Sequence, residues 1–206
     1  MCMTYSKKHP AVQYILEKDP HLLPLFNQIN MVHVTFFDDD FEFLMYTVIG
    51  QQISAKVVEV IFQRLKVLLQ EITPKNILST SVEQLRSIGL SKQKINYMKN
   101  IANYFHTSYG YFITLSKNEK VQALLSIKGI GPWTTDMYVM FVLRDENHFS
   151  IGDLGLREAL KSVYGKPLNS IQDIKKVTEM WSPYKSIVAH FLWHYWDTRH
   201  NGNMSV

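Results

Sequence analysis

The segment Lys128-Gly129-Ile130-Gly131-Pro132 has the composition of a backbone grip for a phosphate group. Two glycines one residue apart permit positive φ angles and let bare N–H groups approach a partner closely, and proline suits the first turn of a helix. A helix that starts here presents unpaired N–H donors and the positive end of its macrodipole, for which phosphate is a natural ligand. Such contacts hold a nucleic acid without reading its sequence. The alternative is a plain turn between two helices, because glycine punctuates helices in many settings.

Asp153 is the second residue whose type and position suggest chemistry, in the run Gly152-Asp153-Leu154-Gly155-Leu156-Arg157. It precedes an apolar helical pattern, so its carboxylate can cap that helix, a contribution of about 1 kcal/mol. A fixed carboxylate can also stabilise positive charge that develops on a bound substrate. Spacing alone leaves both roles open.

Apolar periodicity surrounds these residues with helices. Phe41, Leu44, Met45, Val48 and Ile49 follow the spacing of a core-facing helix. Further helix starts are predicted at Ser54, Ser81, Ser91, Ser116, Asp153, Ser170 and Ser182-Pro183, with S-x-x-Q/E capping boxes at Ser81 and Ser116. Only residues 32–36 alternate like a strand, with uncertain pairing. The sequence therefore predicts an all-α fold in which residues 1–206 form one unit.

Composition permits a polyanionic partner without requiring one. The chain has 22 Lys and Arg against 18 Asp and Glu, a net charge of +4. Four basic residues and no acidic one lie between Arg86 and Lys99, as a phosphate-facing patch would require. The single cysteine, Cys2, excludes an intramolecular disulfide and a four-cysteine iron–sulfur cluster. No apolar run reaches membrane-spanning length and no secretory signal is evident, so we expect an intracellular location and no membrane partner.

Four motif blocks together resemble the helix-hairpin-helix superfamily of DNA base-excision glycosylases, and most closely its DNA-3-methyladenine glycosylase II branch. The resemblance spans about residues 41–196. The blocks are Gly50-Gln51-Gln52-Ile53-Ser54, Gly89-Leu90-Ser91-x-x-Lys94, the glycine hairpin with Asp153, and Trp181-x-Pro183-Tyr184-Lys185-Ser186 leading to Leu192-Trp193. The resemblance implies a two-lobed fold with an active-site cleft between the lobes. The expected lobes are residues 45–125 and residues 1–44 with 126–206, and the expected hairpin is 120–143.

The resemblance also assigns roles to single residues. Asp153 falls on the catalytic aspartate of the family. Trp133 and Trp193 would be aromatic walls of the base pocket, with His194 beside them. Met137 and Leu154 occupy pocket positions that are commonly tyrosine in relatives, which leaves the preferred lesion open. Core packing is the alternative for each tryptophan.

DNA contacts are implied at several further positions. In the loop 50–54, Gln52 matches the residue that fills the gap left by an extruded base, with Gln51 as its neighbour in the wedge. Phosphate contacts are expected at Lys128, Gly129, Ile130, Gly131 and Trp133, and a second phosphate at Lys185 and Ser186. The main-chain carbonyls of Leu125, Ile127 and Ile130 would hold a structural Na⁺ or K⁺.

The predicted function is a monofunctional glycosylase. Relatives that also cleave the strand place a Schiff-base lysine two residues after the second hairpin glycine, where this chain has Trp133. We therefore predict a monomeric enzyme that excises alkylated purines, of the 3-methyladenine and 7-methylguanine type, from damaged double-stranded DNA and requires no cofactor. The alternatives are a non-catalytic helix-hairpin-helix DNA-binding protein and a glycosylase for another base lesion.

Overall fold

The computed structural model describes residues 2–165, 168 and 170–200 and shows a helical protein with one small sheet. The chain divides into two compact units. The central unit is residues 37–143, and the terminal unit combines residues 1–36 with 144–206. The predicted lobe boundaries near residues 45 and 125 differ from these. The hairpin and the helix that ends at Gly50 lie in the central unit, because the helix after the hairpin packs against that helix, which in turn packs with helices of residues 55–112.

Seven helices are described in the central unit. They are α3 (Asp40–Gly50), α4 (Ala55–Leu69), α5 (Pro74–Ser79), α6 (Val82–Ser87), α7 (Lys92–Phe112), α8 (Lys117–Leu125) and α9 (Pro132–Phe141). The long α7 packs against α3, α5 and α6, while α9 packs against α3 and α8. The predicted core face of α3 is confirmed, since Phe41, Leu44, Met45, Val48 and Ile49 are all buried.

The terminal unit contains the remaining elements. In the described residues these are β1 (Cys2–Ser6), α1 (Pro10–Lys18), a 3-10 helix (Pro20–Leu22), α2 (Leu23–Gln28), β2 (Met31–Thr35), α10 (Leu154–Tyr164), α11 (Ile171–Glu179) and α12 (Lys185–His200). β1 and β2 form an antiparallel pair with Tyr5 opposite Val32, which supplies the pairing partner that the sequence left uncertain. α12 packs against α2, α10 and β2.

Helix starts follow the predicted caps closely. Capping boxes form at Ser81 with Gln84 and at Ser116 with Glu119, and Ser91 accepts the Lys94 N–H. The last helix is an exception, because α12 begins at Lys185 rather than at Ser182-Pro183. Residues 181–184 instead form a turn in which the Tyr184 N–H donates to the Trp181 carbonyl at 2.7 Å.

No helix within the described ranges combines the length and the apolar character needed to cross a membrane.

Candidate functional site

The glycine hairpin joins α8 to α9 in the central unit. Gly129 has φ +114°, a conformation that L side chains rarely adopt. A Cβ on Gly129 would lie 2.4 Å from Tyr97 Cγ, so the tyrosine ring occupies the space that a side chain would need. Gly131 is the N-cap of α9 and makes no side-chain capping bond to that helix. The first N–H groups of α9 thus start without intrahelical acceptors, as the sequence predicted for a phosphate grip.

Two side-chain amides hold the hairpin from within the central unit. Asn100 Nδ2 donates to the Lys128 carbonyl at 3.0 Å, and Gln51 Nε2 donates to the Gly129 carbonyl at 3.1 Å. Within the turn, the Ile130 N–H donates to the Ile127 carbonyl at 3.0 Å, and both isoleucine side chains are buried. The Lys128 side chain is exposed. The predicted phosphate contacts therefore lie on a turn whose backbone is anchored at successive carbonyls.

Gln51 and Gln52 are adjacent but differ in environment. The Gln52 side chain is exposed, and its backbone adopts φ +62°, which is uncommon outside glycine. Gln51 is half-buried, and its amide is committed to the hairpin. The predicted wedge role of Gln51 stays a prediction, and it would require the bond to Gly129 to break before this side chain entered a DNA helix. Gln52 and Ser54 are the exposed residues of the loop, and Gln52 has the longer side chain.

A surface groove brings Gln52 and Trp133 together. It is lined by Gly50, Gln51, Gln52, Gly131, Pro132, Trp133 and Thr134. Trp133 is 37% exposed, whereas Met137, one turn further along α9, is 6% exposed. Trp133 thus presents an accessible aromatic surface beside the hairpin, and Met137 offers little surface to a ligand.

Asp153 caps α10 in the terminal unit. Its Oδ1 accepts the Leu156 N–H at 2.8 Å and lies 3.3 Å from the indole Nε1 of Trp193, which donates to it. A Cβ on Gly155 would lie 3.3 Å from Asp153 Oδ1 and 3.3 Å from Trp196 Cδ1. Glycine at position 155 therefore lets the carboxylate and the Trp196 ring each lie close to the backbone of α10. The predicted capping role of Asp153 is confirmed, and the carboxylate is held in a defined orientation.

A buried histidine supports the indole that contacts Asp153. The ring of His190 lies 5.8 Å from that of Trp193 and stacks at 6.4 Å on Tyr5. Burial lowers the pKa of His190 to about 4, so this ring is neutral near pH 7. Sequence reasoning missed His190, and its only signal was the i, i+3 spacing to Trp193. The other predicted pocket residues of this unit, Leu154 and His194, are exposed.

Ser186 and Lys185, the predicted second phosphate site, both have partners within the protein. The Ser186 side chain is 3% exposed, and its hydroxyl lies 2.6 and 2.7 Å from the carbonyls of Asp145 and His148. Its N–H donates to the Glu146 carbonyl. The Lys185 ammonium pairs with Glu179 at 2.5 Å and is largely covered. These residues hold the turn at 145–148 and the end of α11, and their phosphate binding stays a prediction that would require these contacts to change.

The basic patch between Arg86 and Lys99 is also partly structural. Lys94 Nζ donates to the Ile49 carbonyl at 2.6 Å, and Lys99 Nζ donates to the Thr80 carbonyl at 3.1 Å. Both ammonium groups thereby satisfy carbonyls at helix ends, and burial lowers the pKa of Lys94. Arg86 and Lys92 remain exposed.

Comparisons with known proteins agree with this arrangement. The sequence model of the HhH-GPD superfamily of base excision DNA repair proteins matches residues 45–183. The chain is 30% identical over 165 residues to DNA-3-methyladenine glycosylase 1 of Schizosaccharomyces pombe, covering 75% of this chain and 72% of that protein.

Solved structures show the same fold. A DNA-3-methyladenine glycosidase from Bacillus halodurans has a TM-score of 0.79 at 26% identity, covering 98% of this chain and 96% of that one. A 3-methyladenine DNA glycosylase of Schizosaccharomyces pombe in complex with abasic DNA has a TM-score of 0.79 at 23% identity, covering 96% and 100%. The chain therefore belongs to the HhH-GPD superfamily of base excision DNA repair proteins.

Proposed function

We infer that this protein is a DNA-3-methyladenine glycosylase, which hydrolyses the N-glycosidic bond of an alkylated purine in DNA as a step of base excision repair. Relatives from Schizosaccharomyces pombe, Saccharomyces cerevisiae and Bacillus halodurans carry that name. A structural neighbour is in complex with abasic DNA, and DNA is the partner of this chain as well. Because its substrate is cellular DNA, we place the enzyme inside the cell.

The carboxylate of Asp153 carries the proposal. Departure of the base builds positive charge on the deoxyribose, and a carboxylate fixed near C1′ stabilises that charge. At about 4 Å and an effective dielectric near 20, a full charge pair is worth about 4 kcal/mol, or roughly a thousandfold in rate. The hydrogen bonds from Leu156 and Trp193 hold Oδ1 in advance, so little reorganisation is needed during the reaction.

Trp133 provides the selectivity for alkylated bases in this proposal. Alkylation at purine N3 or N7 makes the base cationic, and a cation is attracted to an electron-rich aromatic face by about 0.5 to 2 kcal/mol. The exposed indole beside the hairpin suits this contact. Trp193, Leu154, His194 and Met137 are assigned to the pocket by resemblance, and of these Met137 is the one that is buried. The lesions of this class are 3-methyladenine and 7-methylguanine.

Gln52 is proposed as the wedge that replaces the extruded base. Extrusion costs a few kcal/mol, and the vacated space in the stack must be filled. Gln52 is exposed, and its positive φ is the kind of strained backbone that persists at functional sites when the surroundings hold it.

The main-chain carbonyls of the hairpin are suitable ligands for a monovalent cation. The assignment of that ion to this site rests on resemblance. Leu125, Ile127 and Ile130 offer neutral carbonyl oxygens, the ligand type that K⁺ and Na⁺ accept. The Ile127 carbonyl already accepts the Ile130 N–H and retains one lone pair. These residues would hold Na⁺ or K⁺, and the ion would supply a positive charge toward a DNA phosphate. No cofactor enters the chemistry at Asp153.

The proposed reaction stops at an intact abasic site. The position two residues after Gly131 holds Trp133 instead of an amine, so no Schiff base with the sugar can form there. The test is release of free methylated base from alkylated duplex DNA by the wild-type protein, with strand breaks scored before and after hot alkali. We expect base release with breaks only after alkali. Breaks before alkali, or borohydride trapping of the protein on DNA, would overturn the monofunctional assignment, and tight binding without release would favour a DNA-binding protein.

A further inference from the structure

Gln51 links two parts of the central unit that the proposed function uses separately. Its side-chain amide donates to the Gly129 carbonyl, while the next residue, Gln52, is the proposed wedge. We propose that Gln51 is a positioning residue that locks the wedge loop, residues 50–54, to the phosphate-binding hairpin, so that both act on DNA as one rigid element. This inference rests on the proposed function, because it concerns extrusion of a base from duplex DNA.

The hairpin side of this link is held at consecutive peptide groups. The C=O and N–H of a planar peptide point in opposite directions. Asn100 anchors the Lys128 carbonyl, which sets the direction of the Gly129 N–H, and Gln51 anchors the next carbonyl. Tyr97 fills the space where Gly129 would carry a side chain. Asn100 and Tyr97 both lie on α7. Gln51 is therefore the residue that connects these two peptide groups to the wedge loop.

The wedge loop itself has weak internal support. Its backbone hydrogen bonds from Gln51 to Val48 and from Ile53 to Gly50 are both long, at 3.4 Å. The Ser54 side chain makes no capping bond to α4 within the described chain. Gln52 keeps φ +62°, and such strain persists only where surrounding contacts enforce it. The 3.1 Å hydrogen bond from the Gln51 side chain to the Gly129 carbonyl is therefore a main constraint on the loop next to Gln52.

A rigid link between wedge and hairpin has a mechanical role in extrusion. The hairpin holds the DNA backbone at its phosphates, and the wedge enters the base stack. If the loop could shift relative to the hairpin, insertion of Gln52 would be relieved by movement of the loop instead of displacement of the base. The link is therefore needed most when the target base is paired, and less when a mismatch has already weakened its position.

The test is a double-mutant cycle on Gln51 and Gln52 under single-turnover conditions. Gln51→Met keeps the length of the side chain and removes the donor. On duplex DNA with a correctly paired alkylated base, we expect Gln51→Met to slow base release by about tenfold, the size expected for one lost hydrogen bond. In a Gln52→Ala background it should cause no further loss, because the residue it positions is gone. On a duplex with the same base mismatched, the loss should shrink to about twofold.

Gln63→Met is the matched control, since Gln63 Nε2 bonds only its helical neighbour Glu59 among the contacts described for it. It should leave both rates unchanged. Additive losses in the cycle, or equal losses on paired and mismatched DNA, would overturn the role of Gln51. If Gln51→Met lowers the melting temperature by more than a few degrees, Gln51→Asn, whose amide is one methylene shorter, takes its place. Failure of the wild type to release base from either duplex would overturn the proposed function and this inference together.

Discussion

The N-termini of α9, in the central unit, and α10, in the terminal unit, differ in how they are capped. α9 begins at Gly131 with no side-chain cap in the described structure, while α10 begins at Asp153, whose carboxylate accepts the Leu156 N–H. Both ends present N–H donors and the positive end of a helix dipole. The α10 start uses them to hold its own carboxylate, whereas at the α9 start, where Gly131 has no side chain, we expect a DNA phosphate. A helix N-terminus without a side-chain cap suits binding of a DNA phosphate. A helix N-terminus capped by a carboxylate suits holding that negative charge in a fixed position.

The two starts also differ in what stands behind them. Side-chain amides of Asn100 and Gln51 hold the carbonyls of the turn before α9. The carboxylate before α10 is backed by the Trp193 indole, which packs against the buried ring of His190. Side-chain amides thus hold the carbonyls before α9, whereas two N–H donors orient the carboxylate before α10 and aromatic packing supports one of them.

The largest expected effect separates charge from capping at Asp153. Asp153→Asn keeps the side-chain acceptor, and asparagine caps helices about as well as aspartate. We expect its melting temperature to stay close to the wild-type value while base release falls about a thousandfold, because the charge worth about 4 kcal/mol is lost. Asp153→Ala should lose the same activity and an additional 1 kcal/mol or so of unfolding free energy. An Asp153→Asn protein that keeps a substantial share of its activity would make Asp153 a cap only.

The next prediction compares the two hairpin glycines. Gly129 adopts a positive φ, whereas Gly131 leaves open space at the start of α9. Gly129→Ala must adopt φ +114° and push Tyr97 aside, so we expect about 3 kcal/mol of destabilisation by chemical denaturation. Gly131→Ala has an ordinary φ of −113° and open space around its Cβ, and should cost less than about 1 kcal/mol.

DNA binding distinguishes the two glycines further. Gly131→Ala should remain folded yet bind an abasic duplex several-fold more weakly, because a methyl group stands where a phosphate approaches the α9 start. Unchanged affinity of folded Gly131→Ala would remove the bare helix start from the DNA interface.

Short-range sequence patterns predicted the helix caps and the buried face of α3. Caps at Ser81, Ser116 and Asp153 depend on residues three positions apart, so the sequence displays them directly. The buried face of α3 follows from periodicity for the same reason. The family was predicted from four motif blocks taken together, because the glycine hairpin alone could also be a plain turn between two helices.

Contacts between distant residues were not foreseeable. Gln51 and Gly129 are 78 positions apart, and Asp153 and Trp193 are 40 apart. A surface lysine and one that satisfies a helix end look alike in sequence, which is why Lys94 and Lys185 were both assigned to phosphate. The burial of Ser186 could not be read from the sequence either, and its hydroxyl donates to the Asp145 carbonyl.

The smallest expected effect tests the aromatic support of Asp153 against a matched pair in the same unit. Trp193 donates to Asp153, and Trp181 donates through its indole to the buried carboxylate of Asp19 at 2.8 Å. Phenylalanine at either position keeps an aromatic ring and removes the donor. Trp193→Phe should lower kcat about fivefold with little change in KM, as expected for loss of a hydrogen bond of about 1 kcal/mol that orients a catalytic group.

Trp181→Phe should instead leave kcat unchanged and lower the unfolding free energy by about 1 to 3 kcal/mol, because Asp19 is 1% exposed and would lose a donor. If Trp193→Phe also affected stability alone, the Leu156 N–H would suffice to orient Asp153. A rise in KM for alkylated DNA with kcat unchanged would leave Trp193 only the pocket role that the resemblance assigns to it, without a role in orienting Asp153. The kcat and KM of the two variants therefore decide whether the capped helix start needs its aromatic support for catalysis or only for packing.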